Sequence, residues 1–393
     1  MPVVRRFWPA ALLAAAGCGG RAPLVLEPAP SGGPVAASLF LIGDAGATTA
    51  SDRVLVELRR QGRAAPRGST IVFLGDNVYP RGIPEDTAAD YPEARRRLLV
   101  QAALADSTGL RVIFVPGNHD WDRHRPTGWA QIQRQERLLR DYATQNRVAV
   151  ELQPRGGCPG PVTTDLPGSI RLVAIDTQWW LHTGPRPGRA TDAVVRTLPD
   201  PDPACGVTTE AAFLDSLRRV NAAADRVTVL VGHHPLASHG EHGGHHPWIQ
   251  YLFPLVPTPI APWAWLPIGW IYPLGRRLVG HRQDLIGAAN QAMRRALEGT
   301  FSDRSPFIYA AGHDHSLEVM RQGPGRFYLV SGSGMERHQS AVGRGDSTAF
   351  ASSRPGFMRV DVLEDQRVSV EVTVIDESNQ PRGVYRAWLR SGK

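Results

Sequence analysis

Five short motifs hold the side chains of this sequence best suited to chemistry: GDAG at 43–46, GDNVY at 75–79, GNHD at 117–120, GHHP at 232–235 and GHDH at 312–315. They present Asp44, Asp76, Tyr79, Asn118, His119, His233, His313 and His315. Carboxylate, amide oxygen, phenol and imidazole form a donor set for hard to borderline ions such as iron, manganese or zinc. Each residue has an ordinary use by itself. An aspartate behind a strand commonly turns the chain, and a lone histidine is most often structural. Five such coincidences, each directly behind an apolar run, point instead to a metal centre.

The apolar runs are the elements that must position these groups. SLFLI, TIVFL and RVIFV read as buried strands, as do IRLVAI, VTVLV and FIYAA further on. Helical segments are expected at 50–61 and 91–105, and the amphipathic EAAFLDSLRRVNAAA makes another between later strands. Strands alternating with helices give βαβ units and a largely parallel sheet, whose sites gather at the carboxyl ends of strands. All five motifs lie at such ends. After Gly323 the pattern changes to RFYLVSGSG, GFMRVDVLE, RVSVEVTVID and GVYRAWLR, which alternate as antiparallel strands do. The fold is expected to begin at Ser38.

Taken in order, the five motifs resemble those of the calcineurin-like metallophosphoesterases. Tyr79, three residues after Asp76, and Gly46, two after Asp44, narrow the likeness to the purple acid phosphatases of the small, tartrate-resistant type. The resemblance continues through SHGEHG, YLVSGSG and the last strands, over residues 39–390 apart from one insertion. It implies an α/β fold, a four-layer αββα sandwich of two mixed sheets. It also implies two metal ions, Fe(III) plus a divalent iron, zinc or manganese. Asp44, Asp76, Tyr79 and His315 would hold one, and Asp76, Asn118, His233 and His313 the other, with Asp76 bridging. Two carboxylates and a phenolate bring three negative charges against five positive ones. A bridging hydroxide then leaves about one net positive charge to receive a phosphate.

The activity implied is hydrolysis of phosphate monoesters, of the acid phosphatase type. A hydroxide activated by the ion pair attacks phosphorus directly. His119 would protonate the leaving alkoxide, and His242, in SHGEHG, would stand near the substrate. Asp120 and Asp314 are expected to orient neighbouring imidazoles. One alternative keeps the site but hydrolyses diesters or nucleotides. Another is a metal-containing surface protein that binds without turnover.

Composition sets the wider frame. Of 393 residues 42% are hydrophobic and 21% charged, which is globular, and the formal charge is +7. No Lys/Arg block exceeds three residues, so nucleic-acid binding is disfavoured. Arg5 and Arg6 precede a short apolar stretch ending at Cys18, similar to a bacterial lipoprotein signal. The expected organisation is a signal peptide at 1–17, a lipid-anchored Pro/Gly-rich tether at 18–37 and one domain at 38–390. The protein is thus expected in the bacterial cell envelope, exported and membrane-anchored. Cys158 and Cys205 then form a plausible disulfide pair. Residues 247–275 hold no charge, seven prolines and four tryptophans, and read as an insertion. It would cover the site or rest against the membrane interface.

Overall fold

Strands buried on both faces read as unbroken apolar runs. Val227–Val231 and Phe307–Ala311 are buried at every position. The computed structural model of the protein describes residues 33–201, 204–222, 226–245, 281–301 and 307–390, and the backbone of 25–26. The signal peptide at 1–17, Cys18 and the insertion at 247–275 lie outside the described residues.

In chain order the strands are β1 (Val25–Leu26), β2 (Val35–Ile42), β3 (Thr70–Phe73), β4 (Arg111–Phe114), β5 (Val150–Leu152), β6 (Val162–Leu166), β7 (Ile170–Ala174) and β8 (Val227–Val231). There follow β9 (Phe307–Ala311), β10 (Leu317–Arg321), β11 (Arg326–Ser331), β12 (Thr348–Ser352), β13 (Gly356–Leu363), β14 (Val368–Ile375) and β15 (Pro381–Arg390). The helices are α1 (Arg53–Ala64), α2 (Tyr91–Ala102), α3 (Leu104–Thr108), α4 (Gly128–Asn146), α5 (Thr177–Leu181), α6 (Asp192–Val195), α7 (Glu210–Ala222) and α8 (Ala288–Glu298).

The strands form two mixed sheets, ordered β1-β15-β14-β13-β2-β3-β4-β5 and β12-β10-β11-β9-β8-β7-β6. Alternate residues of a strand face opposite sides, and β2 shows the result. Leu39 and Leu41 enter the core between the sheets, with Val229, Ile308, Leu329 and Val370. Phe40 and Ile42 face outward to Val54, Leu58, Leu98 and Ile132 of α1, α2 and α4. On the far side, Phe213 and Leu217 of α7 and Met293 and Leu297 of α8 cover the second sheet. The result is the four-layer αββα sandwich.

Each sheet has a parallel half that carries the motifs. β2, β3, β4 and β5 run parallel in one sheet. In the other, β7, β8, β9 and β11 do. Here the expectation for RFYLVS needs correction. It pairs in parallel with β9 on one side and antiparallel with β10 on the other. Helix α1 begins three residues later than its periodicity predicts, because the Asp52 carboxylate caps it by accepting from Val54 N at 3.0 Å. The tether also departs from expectation. Val25 and Leu26 pair in parallel with Tyr385 and Arg386 of β15, and β2 starts at Val35 rather than Ser38.

Cys158 and Cys205 are disulfide-bonded, with Cα atoms 5.5 Å apart. Among the described residues no helix is long and apolar enough to cross a membrane. The bond closes a sequence separation of 47 residues, so by loop-closure entropy the double change Cys158→Ser/Cys205→Ser should cost up to about 4 kcal/mol. Urea unfolding of the two proteins measures this, with the midpoint falling in the variant.

Candidate metal centre

The motifs meet where the carboxyl ends of the two parallel runs face each other across the seam. Asp44 follows β2, Asp76 follows β3, and Asn118 and His119 follow β4. From the opposite sheet, His233 follows β8, and His313 and His315 follow β9. Main-chain bonds join the seam: Gly43 N donates to Ser331 O at 2.7 Å, and Gly334 N to Gly43 O at 3.0 Å. Asp44, Asp76 and His313 all adopt left-handed backbone, with φ of 58°, 53° and 70°. Such values are uncommon outside glycine, though Asp and His tolerate them better than most. The glycines before them allow the loops to touch. A Cβ on Gly117 would overlap the Asp76 backbone nitrogen and carboxylate, and one on Gly75 would overlap the His233 ring.

The donor atoms fall into two triangles. In the first, the Tyr79 hydroxyl donates to Asp44 Oδ1 at 3.0 Å and lies 3.2 Å from His315 Nε2, itself 3.3 Å from Asp44 Oδ1. In the second, Asn118 Oδ1 lies 2.9 Å from His233 Nε2 and 3.1 Å from His313 Nδ1, and these two nitrogens are 3.2 Å apart. Asp76 lies between them. Its Oδ1 is 3.4 Å from His233 Nε2, and it forms a possible ion-binding group with Asp44 and His233.

Tautomers decide whether the second triangle fits a cation. His233 Nδ1 donates to Leu74 O at 2.9 Å, and His313 Nε2 donates to Gln283 O at 3.0 Å. The nitrogens that meet inside the triangle are then both lone-pair acceptors, and they face an amide oxygen that is also an acceptor. Three buried acceptors with their lone pairs converging are mutually repulsive unless a cation sits among them. Ligands about 2.0–2.2 Å from a common ion lie about 2.8–3.6 Å from one another, from octahedral to tetrahedral angles, a range that holds the edges of both triangles. The residues present therefore fit a dinuclear centre.

The first triangle is protonated until an ion enters. Burial, and then the Asp44 and Asp76 charges, push the Tyr79 phenol well above its ordinary value. Burial opposes charge on His315, but its bond to Asp44 and the nearby carboxylates outweigh this and raise it to about 9. The His119 backbone N–H donates to Asp76 Oδ1 at 2.9 Å, a bond that favours the charged carboxylate.

The two remaining predicted residues also face the centre. His119 Nδ1 donates to Pro80 O at 2.7 Å, its ring packs edge-on to Tyr79 at 4.6 Å, and its Nε2 is 3.8 Å from Asp76 Oδ2. The His242 ring lies over His313, with centroids 3.8 Å apart. Asp120 and Asp314 do not orient imidazoles. Asp120 accepts from the backbone N–H groups of Asn77, Val78 and Gly117, tying two loops together. Asp314 accepts from His242 N at 2.8 Å.

Several contributors escaped the sequence reading. His234 extends the imidazole cluster, but its Nδ1 meets Thr177 Oγ1 at 2.8 Å and its Nε2 meets Gln283 Oε1. Gln283 also reaches His124, which burial holds at about 4, so this layer is uncharged. His338, at φ 97°, places its ring 4.1 Å from His315 and 5.6 Å from Tyr79. Only its position soon after SGSG hints at this in the sequence.

Residues 38–255, more than half of the chain, match the model of the calcineurin-like phosphoesterase family. The chain belongs to that family. No curated protein matches the sequence. Among solved structures it resembles GAP50, the anchor in the inner membrane complex of Plasmodium, at 13% identity and TM-score 0.54, covering 92% of this chain and 90% of that one. It also resembles the purple acid phosphatase PPD1 from yellow lupin seeds, at 12% identity and TM-score 0.48, covering 91% of this chain and 55% of the lupin chain. The family depends on a dinuclear metal centre, and its members act on phosphate esters.

Two predictions follow from this geometry. Gly117→Ala should displace Asp76 and leave the purified protein with well under two ions per chain, read by elemental analysis. Loading the metal-free protein at pH 7 should release about two protons from Tyr79 and His315, since both must lose one to become ligands. Apparent affinity should accordingly rise with pH, most steeply below about 9, the value for His315, and less steeply above it, where Tyr79 still holds its proton. A titration in weakly buffered solution measures the release.

Proposed function

We propose that the protein is an exported phosphomonoesterase of the purple acid phosphatase type, using Fe(III) and a divalent ion. The observation that carries this reading is the pair of donor triangles joined through Asp76, with the Tyr79 phenol in one of them. A phenolate is a hard anionic ligand suited to Fe(III). The second triangle has one amide oxygen and two neutral imidazoles, a set suited to a divalent ion. When bound, two ions supply the charge for in-line displacement at phosphorus.

The chain's own residues do the rest. Asp76 lies within reach of both triangles and so sets their spacing. His119 Nδ1–H is held by Pro80 O, so Nε2 is the atom that, in the imidazolium form, would deliver a proton to a leaving alkoxide. Its side chain is 19% exposed, consistent with access from a substrate channel. The His242 ring lies over His313 of the second triangle, and in this reading it meets a phosphoryl oxygen.

The fold is shared with a protein named as a membrane-complex anchor, so the family's architecture also serves binding. The complete donor set and the fixed His119 favour turnover here. Export is supported by the Cys158–Cys205 disulfide, since such bonds persist in oxidising compartments. If Cys18 carries lipid, only six residues separate it from Val25, which pairs with β15. Seven chain steps at about 3.3 Å would hold the domain within about 25 Å of its anchor.

The oxidised protein should absorb broadly in the visible through tyrosinate-to-iron charge transfer, and Tyr79→Phe should abolish the band. A colourless protein containing only zinc or manganese would leave the family intact and defeat the iron reading. His119→Ala should lower kcat by about 10²–10⁴-fold for alkyl phosphates and by less for activated aryl phosphates, which need less protonation. Equal losses on both substrates would assign His119 to binding.

A further inference from the structure

His242 lies in the SHGEHG loop, yet what holds its ring comes from a distant part of the chain. Asp284, 42 residues later, places Oδ1 2.8 Å from His242 Nδ1. The next residue joins in, as Leu285 N donates to His242 O at 3.0 Å. The preceding residue, Gln283, accepts from His313 Nε2 through its main-chain oxygen at 3.0 Å. Three consecutive residues thus grip His242 at ring and backbone, and His313 beneath it. The turn itself is tight. Asp284 N donates to His281 O and Gly287 N to Asp284 O, both at 2.9 Å, and a Cβ on Gly287 would overlap His281 O.

Asp284 is only 2% exposed, so its carboxylate is not a surface charge. A buried anion next to a phosphate site would repel the substrate unless a hydrogen-bond donor stood between them. His242 is that donor. Accepting from Nδ1–H orients the ring, so Nε2 is the nitrogen left for the substrate, and in the imidazolium form it would donate to a phosphoryl oxygen. The ring also lies over His313, with centroids 3.8 Å apart and the planes tilted by 32°.

We propose that Asp284 is a positioning residue for phosphate recognition, acting through His242 and not by touching substrate. The proposal rests on the phosphoesterase reading for its substrate class. It needs no change in metal binding, because no Asp284 side-chain atom belongs to either donor triangle.

The test is a double-mutant cycle on the metal-loaded full chain, with inorganic phosphate as the probe in calorimetry. Asp284→Ala should weaken phosphate binding about tenfold in the otherwise unchanged protein, and by less than about twofold when His242→Ala is already present. With an aryl phosphate substrate, KM should rise by a similar factor while kcat stays within about threefold, the mark of lost ground-state binding. Asp284→Asn keeps an acceptor for Nδ1–H and should restore binding to within about threefold of the parent. Both ions should remain in every variant. The proposal is overturned if Asp284→Ala acts equally with and without His242, or if it strips metal, or if the asparagine variant is no better than alanine. Turnover without this coupling would defeat the proposal and leave the phosphoesterase reading standing. Coupled phosphate binding without turnover would do the reverse.

Discussion

Converging lone pairs are the constraint around which this protein is built. Asn118 Oδ1, His233 Nε2 and His313 Nδ1 meet within 2.9–3.2 Å. Bonds on the far side of both rings deny them the protons that would let them bond to one another. An uncompensated cluster of buried acceptors costs on the order of several kcal/mol, because each has surrendered water without gaining a partner. A cation removes that penalty. Folding and metal binding are coupled in such a site, and the strain of left-handed Asp44, Asp76 and His313 is held in place by the same surroundings.

The sandwich supplies that convergence by ending two parallel runs at one place. Neither sheet has enough donors alone, since Asp44, Asp76 and Asn118 come from one and His233, His313 and His315 from the other. The core between the sheets, from Leu39 and Val72 to Val229 and Ile308, fixes their separation. Bonds such as Gly43 N to Ser331 O then fix their register at the seam. Missing side chains matter as much as those present. At Gly75 and Gly117 a single methyl group would fill the space that lets His233 and Asp76 approach.

Much of this was legible in the sequence because its signals are local. A short apolar run followed by Gly-Asp, Gly-Asn or Gly-His marks a strand end and its ligand together, and all seven predicted ligands stand at the seam. What the sequence hid was pairing and partnership. Alternation in RFYLVS shows a strand but not its neighbours, so its parallel bond to β9 was unreadable. Asp120 sits beside His119 in sequence, yet its carboxylate turns back to the loop amides of Asn77 and Val78. Gln283 and Asp284 lie in HRQDLIG, beyond a stretch without periodicity, and only folding brings them to His313 and His242.

Anomalous scattering from crystals of the aerobically purified protein tests the central claim most directly. The account predicts two peaks about 3.5–4 Å apart. One should be bounded by Asp44, Tyr79 and His315, the other by Asn118, His233 and His313, with Asp76 touching both. A single peak, or two peaks that leave either triangle empty, would contradict it.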